Sequence, residues 1–381
     1  MPGLFFKNPA ITNGAPFGAQ YASKKIGGDF LQDTKERHGP VPLAGLFRAL
    51  LLLAALVMTT LSLVPRAAAA ETQPRMVIPL GQAVGIKLFA QGVLVVGLSD
   101  IATDQGLASP AKACGIRTGD VITHINDAQV SSIEEVQAIL QDLNGGEMEL
   151  NVLRAEETLE LTTRAAQCST DGAYKLGAWI RDSMAGIGTL TFVEPATGLF
   201  GTLGHGINDV DTSVLMKLQT GAITPASVVG IVKGMDGRPG ELRGAFTAGE
   251  DLGQLFANTQ QGVFGYLTEA DAFTGQAIPV AEPADVREGP ATILSNVSGT
   301  QVAEYHVEIL KVCHNATDTR DLMLKVTDQR LLDQTGGIVQ GMSGSPIIQD
   351  GKLVGAVTHV LIDHADRGYG IFAQHMLEAA E

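Results

Sequence analysis

The chain has 381 residues, a formal charge of −15, only 5% aromatic residues and three cysteines. So acidic a body repels nucleic acid and anionic lipid surfaces, which removes DNA and RNA from the candidate partners. Cys114, Cys168 and Cys313 are too few for a disulfide scaffold, although Cys168 and Cys313 are available to pair in an oxidising compartment; without a C-x-x-C pair, no metal or other cofactor is expected.

The charge is unevenly spread: residues 1–66 carry a balance of +4, leaving −19 on the rest. Residues 49–64 hold no charge and are bounded by Arg48 and by Pro65-Arg66. As a helix they span ~24 Å at ~1.5 Å per residue, short of the ~30 Å hydrocarbon layer, which suits an export signal better than a permanent anchor. Ala67-Ala68-Ala69-Ala70 supplies the small residues that a signal-cleaving enzyme prefers, and the basic residues ahead keep the amino end in the cytoplasm. The expectation is a cytoplasmic tail over 1–48 and a signal or anchor helix over 49–70, so that the membrane is met through this segment.

Residues 75–165 then show a compact pattern. Val93-Leu94-Val95-Val96 reads as a strand, Ser109 as the cap of a short helix, and Ser132 to Leu143 as an amphipathic helix with Val136, Ile139, Leu140 and Leu143 on one stripe. The series Gly115-Ile116-Arg117-Thr118-Gly119-Asp120-Val121-Ile122, continued by Ile125-Asn126, resembles a PDZ domain of the bacterial type, a small α/β fold. That resemblance implies a groove in which an extended peptide, the carboxyl end of a protein or of this chain, adds a strand. Its carboxylate would be taken by backbone N–H groups around Gly85, Ile86, Lys87 and Leu88. Asp120 is read as bracing a turn.

Periodicity fades over 165–172, and residues 172–381 are strand-rich with frequent glycine turns, which favours a sandwich or paired barrels over a parallel sheet. Here lie the residues that point to chemistry. Gly341-Met342-Ser343-Gly344-Ser345-Pro346 displays a serine between glycines, and Gly204-His205-Gly206 sets an imidazole in an equally small turn. A serine hydroxyl needs a base within hydrogen-bond reach to attack at neutral pH. Ser343 is therefore the candidate nucleophile and His205 the candidate base, in preference to His306, His314, His359, His364 and His375. The amides of Gly341 and Ser343 would form an oxyanion hole. Ser345 occupies the last glycine position of G-x-S-x-G, which argues against the elbow of an α/β-hydrolase. An orienting carboxylate is left open among Asp209, Asp211, Asp328 and Asp333, and a Ser-His pair without one is also an option.

Three stretches together closely resemble the sporulation stage IV B serine peptidases: residues 203–212 around His205, Pro239-Gly240-Glu241-Leu242-Arg243-Gly244, and residues 335–348 around Ser343. The resemblance covers residues 75–381. It implies a mainly β chain in which a chymotrypsin-like double β-barrel follows the PDZ domain, with His205, Asp328 and Ser343 as the catalytic trio. It further implies an enzyme exported from the forespore into the space between two membranes. There it would clip a membrane-tethered regulator, so releasing an intramembrane protease that matures a late sigma factor, and would process its own amino-terminal part. Chymotrypsin-type enzymes usually carry an aspartate before the serine for activation by a new amino terminus; Met342 stands there instead, so that switch cannot operate. Two rival readings are a non-catalytic, membrane-anchored PDZ scaffold and a metal site on His359, Asp363 and His364.

Overall fold

The computed structural model describes residues 74–246, 250–269, 272–316 and 318–381, so the tail and the apolar run at 49–64 lie outside the described residues. No helix among the described residues is long and apolar enough to cross a membrane.

The first strand, β1 (Met76–Leu98), is rich in Val, Ile and Leu and is buried along most of its length, as a strand covered on both faces should be. It passes through two hydrophobic cores. Its far end leads into the small α/β domain: helix α1 (Pro110–Ala113), strand β2 (Val121–Ile125), helix α2 (Ile133–Leu143), and the antiparallel pair β3 (Glu147–Arg154) and β4 (Glu157–Arg164). Val93, Val95, Ile122, Val136, Leu140 and Leu150 form this domain's core. Helix α2 forms where the spacing predicts it. Ser132 and Glu135 close a reciprocal capping box at its start, and Asn144 ends it in a left-handed conformation. Ser109 departs from expectation: its hydroxyl caps nothing at α1 and bonds the Asp100 carboxylate at 2.6 Å.

The chain then returns along β1 as β5 (Ala178–Val193), pairing antiparallel with it from Leu98↔Ala178 back to Ile78↔Val193. Four more strands complete a barrel: β6 (Leu199–Thr202), β7 (Leu218–Val232), β9 (Gly253–Thr259) and β10 (Gly262–Leu267), with β8 (Glu241–Phe246) beside β7. The order β7-β9-β10-β6-β5-β1 closes on itself because residues 84–90 of β1 also pair with β7. A second closed barrel has the order β11-β12-β13-β16-β15-β14, from β11 (Gly289–Ser298), β12 (Gln301–Val312), β13 (Leu322–Val326), β14 (Pro346–Gln349), β15 (Lys352–Leu361) and β16 (His364–Phe372). Helix α3 (Gln329–Thr335) precedes β14 and helix α4 (Ala373–Glu378) follows β16.

Phe192 and Phe264 of the first barrel meet Leu353, Ile371 and the α4 residue Met376 in one buried cluster, which joins the barrels. Burying a side chain of this size contributes about 1.5–3 kcal/mol, so this seam is a substantial adhesive surface.

Two sequence expectations change. The small domain does not begin at residue 75, because the first two thirds of β1 belong to the first barrel; the domain sits within the β1–β5 hairpin. Gly85, Ile86, Lys87 and Leu88 are not an open edge: each is paired on one side with β5 and on the other with β7, so no free row of N–H groups remains there to bind a carboxylate.

Asp120 braces the small domain as expected. Its buried carboxylate accepts the Arg117 N–H at 2.8 Å and takes Arg154 through both oxygens at 2.8 Å. Asp120→Ala strands the guanidinium and the amide, and should lower stability by roughly 2–3 kcal/mol in denaturant titration, with the loss seen first in probes of the small domain.

Candidate active site

Strand β6 ends at Thr202, and Leu203 and Gly204 both follow in left-handed conformations, at φ 70° and 67°. A leucine held there costs about 1–2 kcal/mol, and Leu203 tolerates it because its side chain is packed into the first barrel's core. This double reversal delivers His205 to the wall of a cavity of about 460 Å³ between the barrels. The loop beyond it is braced twice. Asn258 accepts the Ile207 N–H at 2.8 Å and returns its amide to the Ile207 and Met216 carbonyls. Buried Asp209 accepts the Asp211 and Thr212 amides and the Thr212 hydroxyl, and pairs with Arg181.

His205 Nδ1 lies 2.9 Å from the Gly206 carbonyl oxygen. A carbonyl only accepts, so Nδ1 carries the hydrogen and Nε2 keeps its lone pair. Burial holds the imidazole's pKa below its ordinary 6.5, against the upward pull of the Gly206 carbonyl. The ring therefore stands neutral near pH 7, in the tautomer a general base requires. His359 of β15 faces it with ring centroids 4.9 Å apart. Burial, then the neighbouring His205 and Arg320, press His359 down to about 4, so it adds no positive charge to the site.

Ser343 lies on the same cavity wall, in the loop between α3 and β14. Gly341 and Gly344 take φ +95° and +97°, which L side chains seldom adopt. A Cβ on Gly344 would also collide with the Thr189 carbonyl oxygen, because the loop lies directly on β5. The Ser343 hydroxyl donates to the Thr358 carbonyl at 2.7 Å, and no hydrogen bond joins it to His205. A rotation about χ1 is needed to turn it toward the imidazole. The N–H groups of Gly341 and Ser343 have no acceptor among the described residues, which leaves both free for an oxyanion.

A nucleophile, a neutral base and two unspent amides around one cavity are the parts of an acyl-transfer site. The family model described as SpoIVB peptidase S55 matches residues 172–377, more than half of the chain. The chain belongs to the SpoIVB peptidase S55 family. It is a serine peptidase, and a PDZ-domain model matches residues 102–154. A comparison with curated proteins finds no match. Among solved structures, the chain is similar to the Rv3671c protease from M. tuberculosis. The active form is 16% identical, covering 52% of this chain and 73% of that one at a TM-score of 0.28. The inactive form is 16% identical, covering 51% and 82%, also at 0.28. These likenesses are too slight to bear on the chemistry.

In this S55 peptidase Asp328 is not placed at His205. It caps α3, accepts the His306 and Arg330 amides, and pairs with the Arg330 guanidinium, which together hold its carboxyl far below the usual range. Asp209 and Asp211 are committed to Arg181, and Asp333 accepts from Gln329. Among the described residues no carboxylate touches His205; the Gly206 carbonyl fixes the tautomer in its place. Met342 is fully buried in the second barrel's core, which accounts for an apolar residue before the serine. Ile86 lines the active-site cavity rather than a peptide groove. No cluster of three His, Cys, Asp or Glu suited to a metal is found among the described residues, and the three cysteines are free thiols.

The small domain has its own cavity, of about 670 Å³, between α2 and the start of β5; Val136 and Leu140 face Ala178 and Ile180 across it. Pairing with β1 occupies one edge of β5 there, and among the described residues the other edge carries no strand partner. The sequence signal there is Leu176-Gly177-Ala178-Trp179-Ile180, a glycine before an apolar strand.

Because burial lowers the pKa of His205, the acid limb of kcat/KM should fall below pH 6.5, activity being lost as the imidazole protonates. Asp328→Asn keeps an N-cap and loses the half-exposed ion pair with Arg330, so it should lower the melting temperature slightly and leave that limb in place, with turnover per phosphonate-titrated site within about threefold. A limb displaced by Asp328→Asn would return that residue to the catalytic group.

Proposed function

We propose that this protein is an exported serine endopeptidase of sporulation signalling. It cuts a membrane-tethered protein regulator, whose loss activates an intramembrane protease that processes a late sigma factor, and it cuts its own amino-terminal part. Residues 49–70 act as the export signal or anchor, placing the barrels between the two forespore membranes. Membership of the S55 family and the uncharged run at 49–64 support this reading. The observation that carries the chemistry is the convergence of Ser343, neutral His205 and the free Gly341 and Ser343 amides on one cavity.

In the acylation step the Ser343 Oγ forms a bond to the scissile carbonyl carbon and its proton passes to His205 Nε2. The carbonyl π pair moves onto oxygen, where the two amides receive it. Collapse breaks the C–N bond, the proton leaves His205 with the amine, and water repeats the sequence to free the acid.

The substrate is expected to be extended and locally apolar. None of the residues lining the cavity is Asp, Glu, Lys or Arg, and Ile187, Ile338, Val339, Val360 and Ile362 are among those that do line it. Beyond Ala356, β15 has lost its partner β14, so residues 358–361 present a strand edge beside the nucleophile. The groove beside α2 is the place for a protein terminus or an internal segment, including one from this chain.

Incubating residues 71–381 with a peptide library and reading cut sites by mass tests the reading. Cuts should follow uncharged apolar residues. Ser343→Ala or His205→Ala should each lower kcat roughly 10⁴-fold or more, and the double variant should lose little further, because the pair acts as a unit. Undiminished cutting by Ser343→Ala, or a wild-type protein that no active-site phosphonate labels, would leave the scaffold reading in possession.

A further inference from the structure

Four peptide planes connect Gln340 to Gly344, and the structure pins every one. The Gln340 carbonyl accepts the Leu242 N–H at 2.8 Å, and the Met342 carbonyl accepts the Ser345 N–H at 2.9 Å. The Met342 and Gly344 N–H groups donate to the carbonyls of Val339 and Val357. The two remaining carbonyls both go to Thr189: its hydroxyl donates to Gly341 at 2.7 Å, and its N–H donates to Ser343 at 3.1 Å. Because N–H and C=O point opposite ways within one trans peptide plane, the Gln340 and Met342 carbonyls, held by Leu242 and Ser345, aim the Gly341 and Ser343 amides the other way, and Thr189 holds the two planes that alternate with these. Only those two amides are left over.

Every contact in this set is made by backbone except one. Apart from the Ser343 hydroxyl, which must leave the Thr358 carbonyl to react, the Thr189 hydroxyl is the side-chain group among the described residues that holds a peptide plane of the Gln340–Gly344 segment. Thr189 is fully buried, does not line the cavity and cannot touch a substrate. Its own position is fixed in turn, since its carbonyl accepts the Thr202 hydroxyl at 2.6 Å. Without the hydroxyl, the Gly341–Met342 plane is held at one end only, and a glycine with φ +95° has the freedom to let it swing. This plane lies between the two that bear the free amides, so a swing in it is passed through the Gly341 and Met342 Cα atoms to its neighbours and shifts those amides from the point where negative charge develops.

We propose that Thr189 is the positioning residue of the oxyanion hole, acting through the Gly341 carbonyl rather than on the substrate. The proposal rests on the serine-peptidase reading of Ser343 and His205. It sets the transition state, not ground-state binding, as the quantity Thr189 controls.

The experiment compares Thr189→Val, Thr189→Ala and Thr189→Ser in the full chain, using a cleavable peptide and a peptide boronic acid that forms a tetrahedral adduct at the serine. Loss of a whole oxyanion donor costs about 10²–10³-fold, so misaligning the hole through its support should lower kcat by roughly 10–100-fold. KM should stay within about threefold, affinity for the boronic acid should fall in step with kcat, and Thr189→Ser should restore both. Thr191→Val is the control: it makes the same swap two residues along β5, where the buried hydroxyl has no partner to lose. It should leave kcat and the melting temperature unchanged or raise the latter.

A kcat within twofold of wild type in both Thr189→Val and Thr189→Ala overturns the proposal. So does a rise in KM at constant kcat, or a loss that Thr189→Ser does not repair. Alanine is included because it removes the hydroxyl without pressing a second methyl on the loop. An inactive wild-type protein sinks the reading of the site and this proposal with it, whereas an active one beside unaffected Thr189 variants sinks only the second.

Discussion

The loop that carries Ser343 belongs to the second barrel by chain position and by the burial of Met342, yet two of its carbonyls are held by Thr189 of the first barrel. The apolar seam of Phe192, Phe264, Leu353 and Ile371 holds the barrels together, but packing of this kind is non-directional and does not choose the orientation of a peptide plane. Hydrogen bonds do. The absence of a side chain on Gly344 lets the loop settle onto the Thr189 carbonyl, and the threonine then fixes the carbonyls on either side of Met342. His205 comes from the first barrel and Ser343 from the second, so the same joint decides whether the two side chains meet.

Strand β5 extends this logic outward. Its start lines the groove beside α2, and the Asp182 carboxylate accepts the Ile133 N–H at the first turn of that helix. Arg181, one residue earlier, is paired with Asp209 and Asp211 in the loop that follows His205. Residues 184–187 form a wall of the active-site cavity, and Thr189 holds the nucleophile's loop. One antiparallel ribbon therefore touches the cavity beside α2, the loop after His205 and the loop of Ser343 in succession. Placing the small domain inside the β1–β5 hairpin, rather than ahead of the barrel, is what makes this continuity available.

What could be read in the sequence follows the range over which each feature is encoded. The Ser343 and His205 turns were legible because presenting a reactive side chain demands small neighbours at fixed offsets. Helix α2 was legible because its capping box and its apolar stripe are local. The division of β1 between two cores was not, because strand pairing leaves no local mark and Val-Gly-Ile-Lys-Leu suits an edge or a centre equally. The pairing of Gly85 to Leu88 on both sides was hidden for the same reason. Asp328 had a local signature that pointed elsewhere: an acid directly before Gln329-Arg330-Leu331-Leu332 is a helix cap by pattern, and the structure uses it as one. Thr189 and Asn258 carry no motif at all. Thr189 meets Gly341 across 152 residues and Asn258 meets Ile207 across 51, so only the folded chain reveals them.

On the proposed chemistry, in which His205 is the base for Ser343, a carbonyl in place of a carboxylate shifts the electrostatic burden within the site. The Gly206 oxygen fixes which nitrogen carries hydrogen, but it offers the imidazolium a dipole rather than a full negative charge, while burial already disfavours the cation. The positive end of the transition state is thus supported less than in a triad. The negative end must then be met more fully by dipoles that are oriented before the substrate arrives and need no rearrangement when the charge appears. Two amides satisfy that condition only while the planes that bear them are immobile. A site with a weakly supported base therefore needs a rigid nucleophile loop, and pinning every carbonyl from Gln340 to Ser343 meets that need.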